Sequence, residues 1–395
     1  MFGDWEQRKL VEISEGFEYG LNASATDYDG ENKYLRITDI DDASRKLIQT
    51  KLTSPEYDLK KADNYLLQHG DVLFTRTGAS VGKTYRYDEK DGKVYYAGFL
   101  IRARIKSTYN PEFIFQNTLT SKFKNFIRIT SQRSGQPGIN ANEYGSFKIF
   151  VPNKEEQSKV GSLFKHLDDT IALHQNKLEK LKQLKKAYLR VMFPKTGEKN
   201  PQLRFANFSN DWENRKLGDM LEERNEQIPE NEEYPLMSFV QGLGVTPKGD
   251  RYDRSFLVKD NNKKYKKTEL RDFIYSSNNL ETGSIGFNKI GKALISPVYS
   301  VFSSKNKLES EFIGIISTRK DFINKMVHFR QGVVYGQWRI HEKDFLSIEI
   351  FVPLFEEQRK IISFFKQLDE IITLHHDTVE KLKQLKETCL QKLFI

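Results

Sequence analysis

The sequence predicts an α+β protein built as an internal duplicate: two mixed α and β domains in tandem, separated by two long helices that pair as an antiparallel coiled coil, with pseudo-twofold internal symmetry. Three observations predict it. Residues 149–193, IFVPNKEEQSKVGSLFKHLDDTIALHQNKLEKLKQLKKAYLRVMF, return as residues 350–394 at a constant offset of 201, with 25 of 45 positions identical and no gap. The opening GDWEQRKLVEI of residues 3–13 returns as NDWENRKLGDM of residues 210–220, at an offset of 207. Between those shared ends, from about residue 15 to 134 and from about 222 to 335, the halves diverge almost completely. Shared ends and private middles imply one scaffold carrying two different specificities.

Each half opens with the short DWE-x-RKL segment. In the first middle, GDVLFTRTGASVGKTY (Gly70 to Tyr85) runs from an aspartate through an apolar strand into a polar, glycine-punctuated turn. RDFIYSSNNLETGSIGFNK (Arg271 to Lys289) repeats that logic: Asp71 matches Asp272 at an offset of 201, and Gly82 is matched to Gly286 after a small insertion. VYYAGFLIRARI, Val94 to Ile105, is expected to be one buried strand flanked by Arg102 and Arg104. In KALISPVYSVF, Lys292 to Phe302, Pro297 marks a strand break or an edge. Both middles end in a Gly-Gln turn, GQPGI from Gly135 and GQWRI from Gly336. A segment rich in proline and polar residues, 194–209, reads as a linker between the halves.

The duplicated element itself is a long amphipathic helix. Val160, Leu163, Leu167, Ile171, His174, Leu178, Leu181, Leu184 and Tyr188 recur at spacings of three and four, as do Ile361, Phe364, Leu368, Ile372, His375, Val379, Leu382 and Leu385. Asn153 with Glu156 three residues on predicts a capping box, and Lys182, Lys185 and Lys186 lie toward the end where the dipole favours cations. The second copy has Leu354 in place of Asn153 and lacks that cap. Roughly 37 helical residues make a rod of about 55 Å. A rod with one apolar seam needs a partner, and its own twin is the nearest candidate.

Composition bounds the function. The 395 residues suffice for two or three domains, and the formal charge of +9 is a modest excess over 54 acidic residues, which suits nucleic acid without requiring it. Cys389 is the lone cysteine, so no intrachain disulfide can form, which fits a reducing compartment. MFGDWEQRKL does not read as a signal peptide, and no apolar run approaches the roughly 18 residues of a membrane span. A cytoplasmic protein without membrane partners is expected.

Several motifs are excluded by their spacing. GASVGKT at Gly78 has three residues, where a phosphate-binding loop has four, between its first glycine and the Gly-Lys pair; GFNKIGK at Gly286 has the spacing but ends in Ala293 rather than a hydroxyl. NPEF at Asn110 approaches the base-binding signature of amino-methyltransferases, but Glu112 replaces its second proline and no glycine-rich cofactor loop accompanies it. His174 and His375 occupy equivalent positions, which suits a polar pair setting coiled-coil register better than a metal, since metals need three or four converging ligands. Nucleic-acid chemistry points instead to polar and basic side chains at the glycine-rich turns: Thr75, Arg76, Thr77 and Lys83; Gln132, Arg133, Ser134 and Gln136; Ser276, Ser277, Asn278 and Lys289; Gln337 and Arg339. Arginine, glutamine and asparagine bond bidentately to base edges, and glycine lets backbone approach phosphate. The run KKYKK at Lys263 suits phosphate contact or a solvated loop.

Together, the repeated FVP-x-x-EEQ-x-K helix start at 151 and 352, LEKLKQLK and VEKLKQLK, GDVLFTRTG and the central PQLRFANFSNDWENRKLGDM resemble the specificity subunit of type I restriction-modification enzymes. The resemblance implies a first target recognition domain at 1–152, a first conserved spacer helix at 153–193, the linker, a second target recognition domain at 210–353 and a second spacer helix at 354–395. Each recognition domain would bind one half of a bipartite, asymmetric site on double-stranded DNA, and the helices would fix the gap and dock two modification subunits. The chain itself would be non-catalytic and bind no cofactor. S-adenosylmethionine would sit on the modification subunits, and ATP and Mg on two restriction subunits. A coiled-coil tethering protein is the alternative; it explains the helices but not two elaborate, divergent middles. A self-contained nuclease or methyltransferase would need catalytic signatures that the sequence does not show.

Overall fold

A computed structural model describes residues 5–195, 197–240, 244–247, 263–333 and 337–394. Gly3 and Asp4 of the opening repeat and Gly336 of the second Gly-Gln turn lie outside the described residues. The chain divides into two compact units, Met1–Lys177 with His375–Ile395, and Leu178–Leu374. Each holds the middle of one half together with stretches of both long helices.

In both units the DWE-x-RKL segment becomes a strand that pairs with the one leading into the long helix. Glu6–Lys9 runs antiparallel to Lys148–Val151 with Glu6 opposite Val151, and Glu213–Lys216 to Glu349–Val352 with Glu213 opposite Val352. The register is the same. A strand pair whose two members lie at opposite ends of the half keeps both ends in step, which accounts for their shared sequence. Beside it Trp5 packs 5.7 Å from Phe113, and Trp212 5.9 Å from Phe312.

The middles diverge in sequence but share a sheet plan. In the first unit the strand order is Ser14–Tyr19, Leu100–Ile105, Asp71–Thr75, Thr84–Arg86; in the second it is Leu221–Glu223, Ser300–Ser304, Phe273–Tyr275, Ile285–Phe287, all antiparallel. What survives is the core, at the same offset of 201: Phe74 lies 4.8 Å from Tyr144, and Tyr275 lies 4.9 Å from Phe345. The phenol has changed sides while the ring pair has stayed. Around this common sheet the units differ. The first adds Lys33–Leu35 parallel to Val94–Tyr96, whereas the second adds Tyr265–Thr268 between Gln227–Ile228 and Ala293–Ile295.

Two sequence expectations change here. Gly82 does not match Gly286, because Tyr85 opposite Leu73 takes the place of Gly286 opposite Ile274. The N–H of Thr75 donates to Lys83 O and that of Ser276 to Ser284 O, so the offset of 201 holds through the turn with no insertion. Gly82 therefore corresponds to Gly283, and both take left-handed φ values, 82° and 97°. Val94–Ile105 is two strands rather than one: Val94–Tyr96 leaves for the parallel pair, and Leu100–Ile105 joins the main sheet after a turn at Ala97 to Phe99. Pro297 does fall in a break, between Ala293–Ile295 and Ser300–Ser304.

The long helices are Lys154–Val191 and Phe355–Leu393, 38 and 39 residues. Asn153 Oδ1 accepts the Glu156 N–H at 2.9 Å, but the reciprocal half of the expected capping box is missing because the Glu156 carboxylate accepts from Trp5 Nε1 instead. The EEQ motif has a structural cause: Gln157 Nε2 donates back to Pro152 O at 2.8 Å and Gln358 Nε2 to Pro353 O at 3.0 Å, locking each strand-to-helix corner. The helices pair antiparallel as a coiled coil. In the first unit Asp168 meets Lys386 and His174 meets His375; in the second Lys185 meets Asp369 and Tyr188 meets Phe364. Gln157, Phe164, Ile171 and Leu178 form the buried seven-residue spine of the first helix. Leu163, Leu184 and Leu385, which the spacing assigned to the seam, are instead 44%, 43% and 49% exposed. Steps of three and four give a stripe wider than a two-helix contact, so residues at its margin fall outside. Among the described residues, no helix is long and apolar enough to cross a membrane.

Candidate nucleic-acid interface

At one end of the central strands of the first unit's main sheet, three segments are tied together by backbone bonds. The Arg76 N–H donates to Phe99 O at 3.1 Å, the Ile139 N–H donates to Arg76 O at 2.9 Å, and the Gly78 N–H donates to Pro137 O at 3.0 Å. The turn after the central strand thus lies between the loop entering Leu100–Ile105 and the Gly-Gln turn. The second unit builds the same junction with side chains: the Ile340 N–H donates to Ser277 Oγ at 3.1 Å and the Trp338 N–H to Asn278 Oδ1 at 2.6 Å. Ile139 and Ile340, 201 apart, are buried and pin the junction to the core.

The half-buried Arg76 holds its guanidinium 4.9 Å from the Tyr19 ring centroid, which braces the charge at the surface without neutralising it. Thr77 bridges to Gly138. Gly78 is required by its left-handed φ of 75°; a Cβ there would also displace the amide of the exposed Gln136, whose Nε2 would lie 2.8 Å away. Gln132, Ser134 and Gln136 are exposed, as are Lys289, Gln337 and Arg339, and Asn278 is half-buried. Lys289 lies over the Phe287 ring and Arg339 lies 3.6 Å from Glu342.

Four expected contact residues are turned inward, and a fifth, the exposed Arg133, is engaged by its own neighbours. Thr75 is buried, its hydroxyl donating to Ser80 O and accepting the Lys83 N–H. The buried Lys83 ammonium donates to Ile40 O at 3.1 Å and pairs with Asp42 at 2.6 Å. Arg133 is held by both Glu143 oxygens, at 2.6 and 2.7 Å, and by Thr130 O. Ser276 and Ser277 are buried beneath the second junction. The four buried side chains share one reason: a tight turn over a sheet must satisfy its own buried polar groups, and these side chains do so. KKYKK divides likewise: Lys266 is buried and Lys267 pairs with Glu226, leaving Lys263 and Lys264 exposed.

Four exposed side chains were missed: Tyr19 (43%), Phe99 (60%), Val298 (64%) and Trp338 (48%). The available signal was a large apolar or aromatic residue within two positions of Gly or Pro, in EYG, AGFL, SPV and GQW. The matched aspartates prove to be structural. Asp71 receives Arg104 bidentately at 2.8 and 3.0 Å, and Asp272 receives Arg224 at 2.8 Å, although burial still lifts the Asp272 carboxyl to about 6. GASVGKT is a short turn leading into a strand, and NPEF starts a helix, with Asn110 Oδ1 capping the Phe113 N–H.

This arrangement defines a class: a duplicated scaffold whose two domains expose different polar and aromatic side chains at equivalent rims, as a protein with two sequence specificities must. Residues 3–183 and 209–384 match the family model described as the type I restriction modification DNA specificity domain, and the chain belongs to that family. It is 25% identical to a putative type I restriction enzyme MjaX specificity subunit of Methanocaldococcus jannaschii, over 99% of this chain and 92% of that protein. It is 21% identical to the MjaVIII specificity subunit of the same organism, over 83% and 79%. The fold resembles the crystal structure of the type I restriction-modification S subunit from M. genitalium, with a TM-score of 0.67 at 14% identity over 99% of this chain and 96% of that one. A chain from a study of complex assembly and conformational transition in the type I system gives 0.50 at 18% identity, over 99% and 97%. The chain is a type I specificity subunit with two recognition domains.

Proposed function

We propose that residues 1–152 and 210–353 are target recognition domains, each reading one half of a bipartite, asymmetric site on double-stranded DNA, and that helices 153–193 and 354–395 set the gap. The observation that carries this reading is the paired rim: one junction geometry in both units, with Arg76 and Thr77 in one where Ser277 and Asn278 stand in the other. Solvent-facing Gln132, Ser134, Gln136, Lys289, Gln337 and Arg339 supply the remaining polar contacts, while the buried Thr75, Lys83 and Ser276 support them from within and Arg133 is held at the surface by Glu143.

Two modification subunits dock on the helices. Leu173 and Leu374, 201 apart and each 66% exposed, give each helix an apolar foothold at the same position. Those subunits carry S-adenosylmethionine and methylate adenine; two restriction subunits bring ATP and Mg for translocation and cleavage. This chain supplies address, not chemistry.

The test is a map of methylated bases in cells carrying this chain with a matching modification subunit, repeated after residues 15–134 are exchanged for those of a relative. A split motif altered in one half only is the expected result. A stable complex with no methylation difference would return the chain to a tethering role.

A further inference from the structure

The two units differ where a long helix leaves its strand. In the second unit the linker lies against that corner: the Arg204 guanidinium donates to both oxygens of the buried Glu357, at 2.9 and 2.6 Å, and to Asn210 O at 2.9 Å. Phe205, the next residue, sets its ring 6.2 Å from that of Phe364, which in turn meets Tyr188 at 4.9 Å. An arginine and a phenylalanine in succession thus close a groove made of one carboxylate and two rings.

The offset of 201 gives the first unit the same groove, with Glu156, Leu163 and Cys389 standing for Glu357, Phe364 and Tyr188. The strand pair leading into each helix keeps one register, so the positions are equivalent in space as well as in sequence. Here the groove is open. One Glu156 oxygen accepts from Trp5 Nε1 at 3.2 Å, and among the described residues the other bonds nothing and no cation pairs with the carboxylate. In the second unit, where Arg204 engages the glutamate, the corresponding Trp212 Nε1 is buried without a partner. Leu163 is 44% exposed, although Phe364 is half-buried. A leucine and a cysteine in place of two rings also take bulk from the floor, leaving space for a ring from another chain. A free carboxylate oxygen beside an uncovered apolar floor complements the very pair that closes the twin, since a guanidinium bonds a carboxylate through two parallel N–H groups and a ring buries the apolar surface.

We infer that a modification subunit inserts an arginine followed by a phenylalanine into this groove, the guanidinium on Glu156 and the ring on Leu163. This rests on the docking of those subunits on the helices proposed above: Leu163 stands about 15 Å along the same helix from the exposed Leu173. The second unit offers no such opening, because its own linker occupies it. The two modification subunits are therefore held by different contacts.

The test uses the full chain purified with its modification subunit. A photo-crosslinking side chain in place of Leu163 should link to a modification-subunit peptide in which arginine directly precedes phenylalanine. Glu156→Gln keeps an acceptor for the Trp5 indole but loses the charge, and should weaken one of the two binding steps of a modification-subunit titration roughly 10- to 100-fold. Glu156→Arg, combined with glutamate in place of the partner's arginine, should restore that step. Leu163→Asp, at an exposed position, should weaken the same step should the Glu156 variants fail to fold. Links only to this chain or to an isotope-labelled second copy, links to a partner segment without arginine, or unchanged binding in these variants would overturn the inference and leave docking on the helices standing. A chain and modification subunit that do not associate at all would sink both.

Discussion

Arg76 and Lys83 belong to one turn and do opposite work. Arg76 presents a guanidinium braced on Tyr19, a geometry suited to the O6 and N7 of guanine. Arg76→Ala is expected to cost about 1–3 kcal/mol of binding and to relax a single base position; a uniform loss across all sequences in a binding selection would make it a phosphate contact instead. Lys83 points the other way, into Ile40 O and Asp42. Because Asp42 is exposed, Lys83→Met should cost only about 1–2 kcal/mol of stability, seen as a lower Tm with the methylation motif unchanged. Residue type made both look like DNA contacts. Nothing in TRTGASVGKT tells which cation the turn consumes, since that depends on Ile40 and Asp42, some forty residues away. The same limit hid Phe99 and Trp338, whose exposure is a property of the assembled rim.

At the scale of elements, the helices were legible because a 25-in-45 repeat with heptad spacing constrains both periodicity and partner. Their register was less so, as the exposed Leu163 and Leu184 show. The middles were opaque for a different reason: a sheet order can persist on buried rings alone, so Phe74 with Tyr144 and Tyr275 with Phe345 preserve a plan that identity counts do not detect. Inside the coiled coil, His174 and His375 place their Nδ1 atoms 2.9 Å apart, which requires one ring to donate and the other to accept. Desolvation, with Lys177 and His174 facing it, lowers the His375 pKa below the ordinary 6.5. A histidine depressed in the folded state favours its neutral form there, so its contribution is fully present above 6.5 and is lost as pH falls from 6.5 toward the lowered value. Thermal unfolding of the complex should therefore show a Tm that drops through this window, and the drop should shrink in a His174→Leu, His375→Leu double variant. An equal drop in both would mean the pair does not set the acid sensitivity.

For the whole molecule the proposed consequence of duplication is a ruler. Two readers joined only by their own strands and linkers could take many separations, whereas the long helices pass through both units and are pinned at each end: Phe394 packs 5.5 Å from Phe164 in the first unit, and Phe193 packs 6.0 Å from Phe365 in the second. A helix advances 1.5 Å per residue, so one heptad added to each helix, in register, lengthens the coil by about 10 Å. Seven residues also nearly restore the facing of the seam, so the added length should not unwind it. On B-DNA that length corresponds to roughly three base pairs at 3.4 Å each. The half-site sequences should stay as they were, because neither rim is touched, while the preferred gap grows by about that number. Three base pairs also turn the duplex by close to a third of its repeat of about ten, so affinity should fall even at the new best gap unless the linker at 194–209 yields. A binding selection over randomised gaps reads both quantities at once. A lengthened gap with intact half-sites would make the helices the spacing element, whereas an unchanged gap would mean that the modification subunits set it.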